Sequence, residues 1–177
     1  RLTDKSRLAF SHCKVQCLEP RPALVNLFSG SSGVYVTAAQ SLLTSARLRE
    51  LGSIQTIRVV EKGADFGGTW YWNRYPGVAC DVPSYDYLPL LDEMDYVPTR
   101  RYAGGEEIYN HCRAIAEKYD LVDLAVFRTT VNTTTWSEEE QMWTVGTDRG
   151  DTMKARFVIV ANGTLSKPKL PQKLVDG

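Results

Sequence analysis

EKGADFGGTWYWNRYPGVACD, residues 61–81, follows directly on the β-branched run IRVV at 57–60, and together these decide the fold. A compact run of that kind reads as a buried parallel strand, and it sets the carboxylate of Glu61 at the strand's carboxyl end. Upstream, 23–28 is a second short apolar run, followed by Ser29-Gly30-Ser31-Ser32-Gly33 and a helical stretch over 37–51 that Gly52 can cap. Strand, glycine-bearing turn, helix and strand in that order make a βαβ unit, so the fold class is α/β with a parallel sheet.

A βαβ unit of this kind can hold a dinucleotide when three things coincide. A backbone turn approaches the pyrophosphate, a helix N-terminus points at it, and an acid ends the second strand. Glu61 supplies the acid: a carboxylate there accepts hydrogen bonds from ribose hydroxyls and repels a 2′-phosphate, which favours FAD or NAD over NADP. A solvated acid at a strand end is the plainer alternative. The phosphate turn matches less well. Aligning GxGxxG on Gly30 and Gly33 puts Phe28 at the first glycine, and Gly33 precedes Glu61 by 28 positions where about 20 is usual. Phe28 lacks the conformations open to glycine in a tight turn. Gly30 and Gly33 therefore stand either as a degenerate phosphate cradle or as an ordinary Ser/Gly loop. Gly67-Gly68 lets the backbone run close to a flat ligand, and Thr69, Trp70, Tyr71 and Trp72 gather hydroxyl, indole and phenol groups beside it. The competing reading of that cluster is an aromatic core.

Composition narrows the partners. The 177 residues, 43% hydrophobic, suffice for one domain with a core. Lys plus Arg equals Asp plus Glu at 21 each, so no field of one sign gathers nucleic acid or an anionic membrane. No apolar run approaches the roughly 20 residues of a membrane span, and the opening RLTDKSRLAF lacks a secretory signal's apolar core, so the expected compartment is the cytosol. Cys13, Cys17, Cys80 and Cys112 are too irregular for a disulfide framework, and His12, Cys13 and Cys17 lack a fourth ligand nearby, so no metal is expected. The sequons at Asn132 and Asn162 read as chance matches in a cytosolic chain. A start at Arg1 and an end on Val175-Asp176-Gly177 read as a fragment.

Beyond 81, a long irregular segment reaches about 103, of the kind that is usually functional or covered by ligand. Ile108, Cys112, Ile115, Ala116 and Tyr119 fall at helical spacing and predict an amphipathic helix over 105–119. Strands are expected over 126–136 and 142–147, joined by SEEEQ as a hairpin or meander, and over 154–161, before Asn162-Gly163 and SKPKLP.

The segment GGTWYWNRYPGVACDVPSYDY resembles the signature of class B flavoprotein monooxygenases of the Baeyer-Villiger type. The likeness runs on through YLPLLDE, RRYAGGEEIYNHCRAIAEKYDL, FRTTV and FVIVANGTLSKPKLP, covering about 57–172. The resemblance implies a Rossmann-like FAD-binding domain over 57–172, preceded by a poorly matched segment over 1–56. It makes 173–177 the start of a linker to an NADP domain that this chain lacks. It further implies that Glu61 binds the adenosine ribose, that Thr69, Trp70, Tyr71, Trp72, Asp81 and Tyr87 line the flavin, and that Val131 holds the adenine end through its backbone. Asp81 is implied as the residue that positions an active-site arginine lying outside this chain. In that family NADPH reduces FAD and an oxygen atom from O2 is inserted beside the carbonyl of a small-molecule ketone. The FxGxxxHxxxW fingerprint and the catalytic arginine are missing, so the chain alone is expected not to turn ketone over. Two rivals remain: a non-catalytic relic or interaction module that kept the fold and lost the flavin, and part of an N- or S-oxidising flavin monooxygenase. The latter generally lacks WYWNRYPG followed by Cys-Asp.

Overall fold

The computed structural model describes residues 16–17, 33–37, 41–52 and 56–163; for 16–17, 33–37 and 41 it describes the backbone. The elements in chain order are β1 (Gln16–Cys17), β2 (Gly33–Thr37), α1 (Ser41–Leu51), β3 (Thr56–Val60), α2 (Thr69–Trp72), α3 (Ser84–Tyr87), α4 (Leu91–Met94) and α5 (Gly105–Lys118). There follow a 3-10 turn at Val122–Leu124, then β4 (Ala125–Val126), β5 (Val131–Ser137), β6 (Met142–Thr147), β7 (Thr152–Ala155) and β8 (Phe157–Val160).

Five strands form one sheet in the order β1-β8-β2-β3-β4. β2 runs parallel to both β3 and β8, β3 parallel to β4, and β1 closes the edge antiparallel to β8. The remaining strands form a separate antiparallel meander, β5-β6-β7. The α/β class and the meander are as the sequence predicts, but two expected strands each divide between the sheets. The run over 126–136 breaks into β4 and β5 at Arg128, whose φ of 52° turns the chain from the parallel sheet into the meander. The run over 154–161 breaks at Arg156 into β7 and β8, again in different sheets.

Period-two alternation in β3 explains how both faces of the sheet are covered. Ile57 and Val59 face a core shared with Leu42 and Ala46 of α1 and with Ile108, Cys112, Ile115 and Ala116 of α5. Val60 points the other way, into a smaller core with Val145 of β6, Ala155 of β7 and Val158 of β8. α5 starts where expected and ends one residue earlier: it spans Gly105–Lys118 with Glu106 and Glu107 in its first turn and Lys118 in its last, each charge matched to the helix dipole. Gly105 is required by contact, since a Cβ there would meet Val78 Cγ1 at 2.7 Å.

The irregular segment 73–104 is held by side chains that take the place of a regular ladder. Buried Ser84 lies with its hydroxyl 2.9 and 3.1 Å from the carbonyl oxygens of Arg100 and Arg101, and that hydroxyl accepts the amide of Ala103 at 2.9 Å. Glu107 of α5 accepts the Thr99 amide (2.7 Å), the Thr99 hydroxyl (2.6 Å) and the Tyr96 hydroxyl (2.8 Å). Desolvation works against the Glu107 carboxylate, but those three donors hold its pKa below the ordinary range. His111, 4% exposed, pairs through Nε2 with the Pro89 carbonyl at 2.7 Å and lies against Tyr96. Ser84→Ala is expected to cost about 1–3 kcal/mol, because it strands the buried Ala103 amide and removes the hydroxyl donor from the Arg100 carbonyl, while the Arg101 carbonyl keeps the Ser84 amide at 2.7 Å. A denaturant midpoint unchanged by that substitution would show the segment is held elsewhere.

Candidate functional site

The carboxyl end of β3 is sewn to the chain that follows β4. The Glu61 amide donates to the Val126 carbonyl at 3.0 Å, the Glu61 carbonyl accepts the Thr129 amide at 3.1 Å, and the Gly63 carbonyl accepts the Arg128 amide at 2.8 Å. Glu61 is 6% exposed, and its Oε1 accepts the Gly63 amide at 2.7 Å. A buried carboxylate must be hydrogen-bonded to remain there. The folded-back amide fixes its direction at the end of a parallel strand, where open α/β sheets bind ligands. Val131 starts β5, two residues after Thr129, and packs against the core that holds Val60.

The Gly67-Gly68 turn comes next, and both glycines adopt conformations that other residues avoid. Gly67 has a φ of 127°, and Gly68 combines φ 52° with ψ −117°. In the sequence these glycines suit the close approach of a flat ligand, but at Gly67 the close approach is made by the protein itself. A Cβ there would lie 2.7 Å from Tyr109 Cδ2 and 3.3 Å from Tyr71 Cβ. Their carbonyls start the single helical turn α2, accepting the amides of Trp70, Tyr71 and Trp72 at 3.0, 3.0 and 3.1 Å.

α2 sends its aromatic residues in three directions. Trp70 turns inward, 8% exposed, and its indole N–H donates to the Tyr87 hydroxyl at 2.8 Å with the rings edge to face. Desolvation raises the Tyr87 pKa, against the opposing effect of that indole donor. Tyr71 is half-buried and packs over Gly63, where a Cβ would meet its ring carbons at 3.0 Å. Trp72, 57% exposed, stands edge-on to Tyr71 with ring centroids 4.9 Å apart, and Thr69 is exposed at the start of the turn. Trp70 thus serves the core, whereas Thr69 and Trp72 are open to an incoming group. Asp81 is exposed beside Cys80, whose amide is tied to the Ala103 carbonyl at 3.0 Å, and its charge reaches the Tyr87 phenol.

Glu61, Gly67, Gly68, Thr69, Trp70, Tyr71 and Trp72 therefore lie along one continuous turn, with Tyr87 joined to it through Trp70. Gly33 falls elsewhere than expected. It opens β2 opposite Thr56, at the far end of the strand from α1, so it is not on the strand-to-helix turn. The helix begins at Ser41 rather than near Thr37, and residues 38–40 lie outside the described residues. Gly30, the apolar run over 23–28 and the His12/Cys13 part of the metal reading also lie outside them. Among the described residues no His, Cys, Asp and Glu group is arranged to hold a metal, and no helix is long and apolar enough to cross a membrane. Cys80 and Cys112 are free and buried, and desolvation pushes the Cys112 thiol up to about 12.

Three residues around the turn, Asp65, Tyr109 and Arg113, carry no sequence signature of a site, and Arg74, in the signature segment, joins them. Tyr109 donates its hydroxyl to Asp65 Oδ2 at 2.6 Å, Arg113 Nε lies 3.3 Å from the same oxygen, and the Arg74 guanidinium sits 4.8 Å from the Tyr71 ring centre and 5.4 Å from that of Tyr109. One available signal was the i, i+4 spacing of Tyr109 and Arg113, which puts both on one flank of α5.

No family model matches the chain. It is 54% identical over 130 residues to neopentalenolactone D synthase of Streptomyces avermitilis and 52% identical over 130 residues to a Baeyer-Villiger monooxygenase of Streptomyces coelicolor. Each match covers 73% of this chain, and 22% and 21% of the respective relatives, so the chain spans about a fifth of the length of these curated relatives. Among solved structures it is similar to the OTEMO complex with FAD and NADP, with a TM-score of 0.72, 28% identity and coverage of 81% of this chain and 27% of that one. With the signature segment, the parallel sheet and the strand-end acid all in place, the chain belongs to the Baeyer-Villiger monooxygenase family and corresponds to a part of its members' length.

Proposed function

We propose that this chain is an FAD-binding part of an NADPH- and O2-dependent monooxygenase that inserts oxygen beside the carbonyl of a small-molecule ketone. The observation that carries the reading is the buried, amide-oriented carboxylate of Glu61 at the carboxyl end of β3, continuous with a glycine turn that presents Thr69 and Trp72 to solvent. These residues fit the two ends of FAD. Glu61 would accept the ribose hydroxyls, with the Val131 backbone at the adenine side. Thr69, Tyr71 and Trp72 would meet the ring system, with Asp81 and Tyr87 beside it. FAD, when bound, supplies the two-electron chemistry and the reaction with dioxygen. The chain's own contribution is to orient the ring, exclude water with the aromatic turn and, through Asp81, hold a cationic partner near it. The relatives favour this reading over an N- or S-oxidising enzyme. Two buried free thiols suit a reducing compartment such as the cytosol.

Titrating the purified chain with FAD tests the reading. A resolved, red-shifted flavin absorbance band is expected. Glu61→Ala should weaken binding by roughly tenfold or more, the worth of hydrogen bonds to a charged group. A wild-type chain that leaves the spectrum of free FAD unaltered would overturn the proposal.

A further inference from the structure

The geometry points to Tyr109 and Asp65 as positioning residues for the flavin-facing turn: together they latch Gly67-Gly68, and so the rings of Tyr71 and Trp72, onto helix α5. The inference rests on the proposed FAD reading for its ligand, but its physical basis is independent of it. α2 has four residues and no side-chain cap at Gly68, and a single helical turn of that length does not hold its own shape. Its two leading glycines make the free chain looser still. Orientation of the rings must therefore come from tertiary contact, and the contact is specific.

The Tyr109 ring fills the space where a Gly67 side chain would be, within 2.7 Å of the ideal Cβ position. Its hydroxyl donates at 2.6 Å to Asp65 Oδ2, a short charge-assisted bond to the residue two positions before the turn. The other carboxylate oxygen, Oδ1, accepts the Phe66 amide at 2.8 Å, so Asp65 grips the backbone entering the turn as well as the helix behind it. Arg113, one helical turn along α5, adds its guanidinium to the same carboxylate. On the exit side, Arg74 Nε donates to the Tyr71 carbonyl at 2.8 Å while its guanidinium lies over both Tyr71 and Tyr109. Entry, apex and exit of the turn are thus each tied to Tyr109 or to a residue that touches it. Exposed ion pairs alone contribute little. The phenol–carboxylate bond and the ring against Gly67 are the parts expected to matter.

The test uses the whole chain and Tyr109→Phe, which keeps the ring and removes the bond, with Asp65→Asn as a second variant. Two readouts are taken: dissociation constants for FAD and for ADP, and amide hydrogen exchange. ADP carries the adenosine half alone and makes no demand on the turn. Both variants should weaken FAD by roughly tenfold, the scale of one charge-assisted hydrogen bond, leave ADP unchanged, and speed exchange of the Trp70, Tyr71 and Trp72 amides with β3 unaffected. Equal losses for FAD and ADP would reduce the pair to general stability and overturn the inference. So would unaltered exchange at Trp70, Tyr71 and Trp72, whether or not flavin binds. Failure of the wild-type chain to bind FAD would sink the proposed function instead, and the exchange arm would still decide the latch.

Discussion

Installing glycine at positions 36, 38 and 41 together is expected to tighten FAD binding by about 30-fold. β2 ends at Thr37 and α1 begins at Ser41, so the chain passes from strand to helix between these two residues. GxGxxG written across that junction falls on Val36, Ala38 and Ser41, and its last position then precedes Glu61 by the usual spacing of about 20. None of the three is glycine, and the sequence has no glycine between Gly33 and Gly52. Glycine at the second position lets backbone amides approach a pyrophosphate, and at the third it lets helix and strand pack closely. Amide bonds to phosphate and the favourable helix N-terminus are together worth about 2 kcal/mol, which is the 30-fold stated. The triple variant Val36→Gly, Ala38→Gly, Ser41→Gly should also lose stability, by roughly 0.5–1 kcal/mol per glycine placed in a strand or helix. Affinity should rise while melting temperature falls. Affinity that stays at the wild-type value would mean the pyrophosphate is not held at this turn.

Gly67→Ala is expected to have the largest effect on folding of any single methyl added to the turn, about 2–4 kcal/mol from a strained φ and an unavoidable clash. The φ of 127° is one that L-residues rarely adopt, and the new methyl would sit 2.7 Å from the Tyr109 ring. Gly77 is the natural control: its φ is 80°, but nothing lies within 4 Å of its ideal Cβ. Gly77→Ala should therefore show the backbone penalty without the clash, roughly 1 kcal/mol. Adding Tyr109→Ala to Gly67→Ala removes the obstructing ring, so the double variant should be less unstable than the sum of the two single changes. Equal losses for Gly67→Ala and Gly77→Ala in urea unfolding would show that Tyr109 does not confine the turn.

Much of the fold was legible because its signals are local. β3 announces itself as a β-branched run, α5 through its apolar face at helical spacing, and the strand-end acid through its place after IRVV. Where local pattern misled, two structures shared one pattern. The runs over 126–136 and 154–161 look continuous because apolar and β-branched residues fill both halves. Their division between two sheets turns on the backbone at Arg128 and on which neighbours each half pairs with. Gly30 and Gly33 drew the phosphate turn because they are the glycines at hand, yet the pairing of Gly33 with Thr56 sets it at the start of a strand.

The aromatic turn shows the same division within the candidate site. Chemistry and family are most legible over residues 57–87, since an acid after a β-branched run, glycines and aromatics in that order are a statement about composition along the chain. What each group does there was decided by tertiary structure. Trp70 is committed to Tyr87 and the core, Trp72 is left to solvent, and Gly67 is obligatory because a tyrosine 42 positions away fills its space. The physical reason is distance. A sequence records which groups are adjacent in the chain, whereas burial, hydrogen-bond partners and the room beside a glycine depend on residues brought together only when α5 docks against the turn.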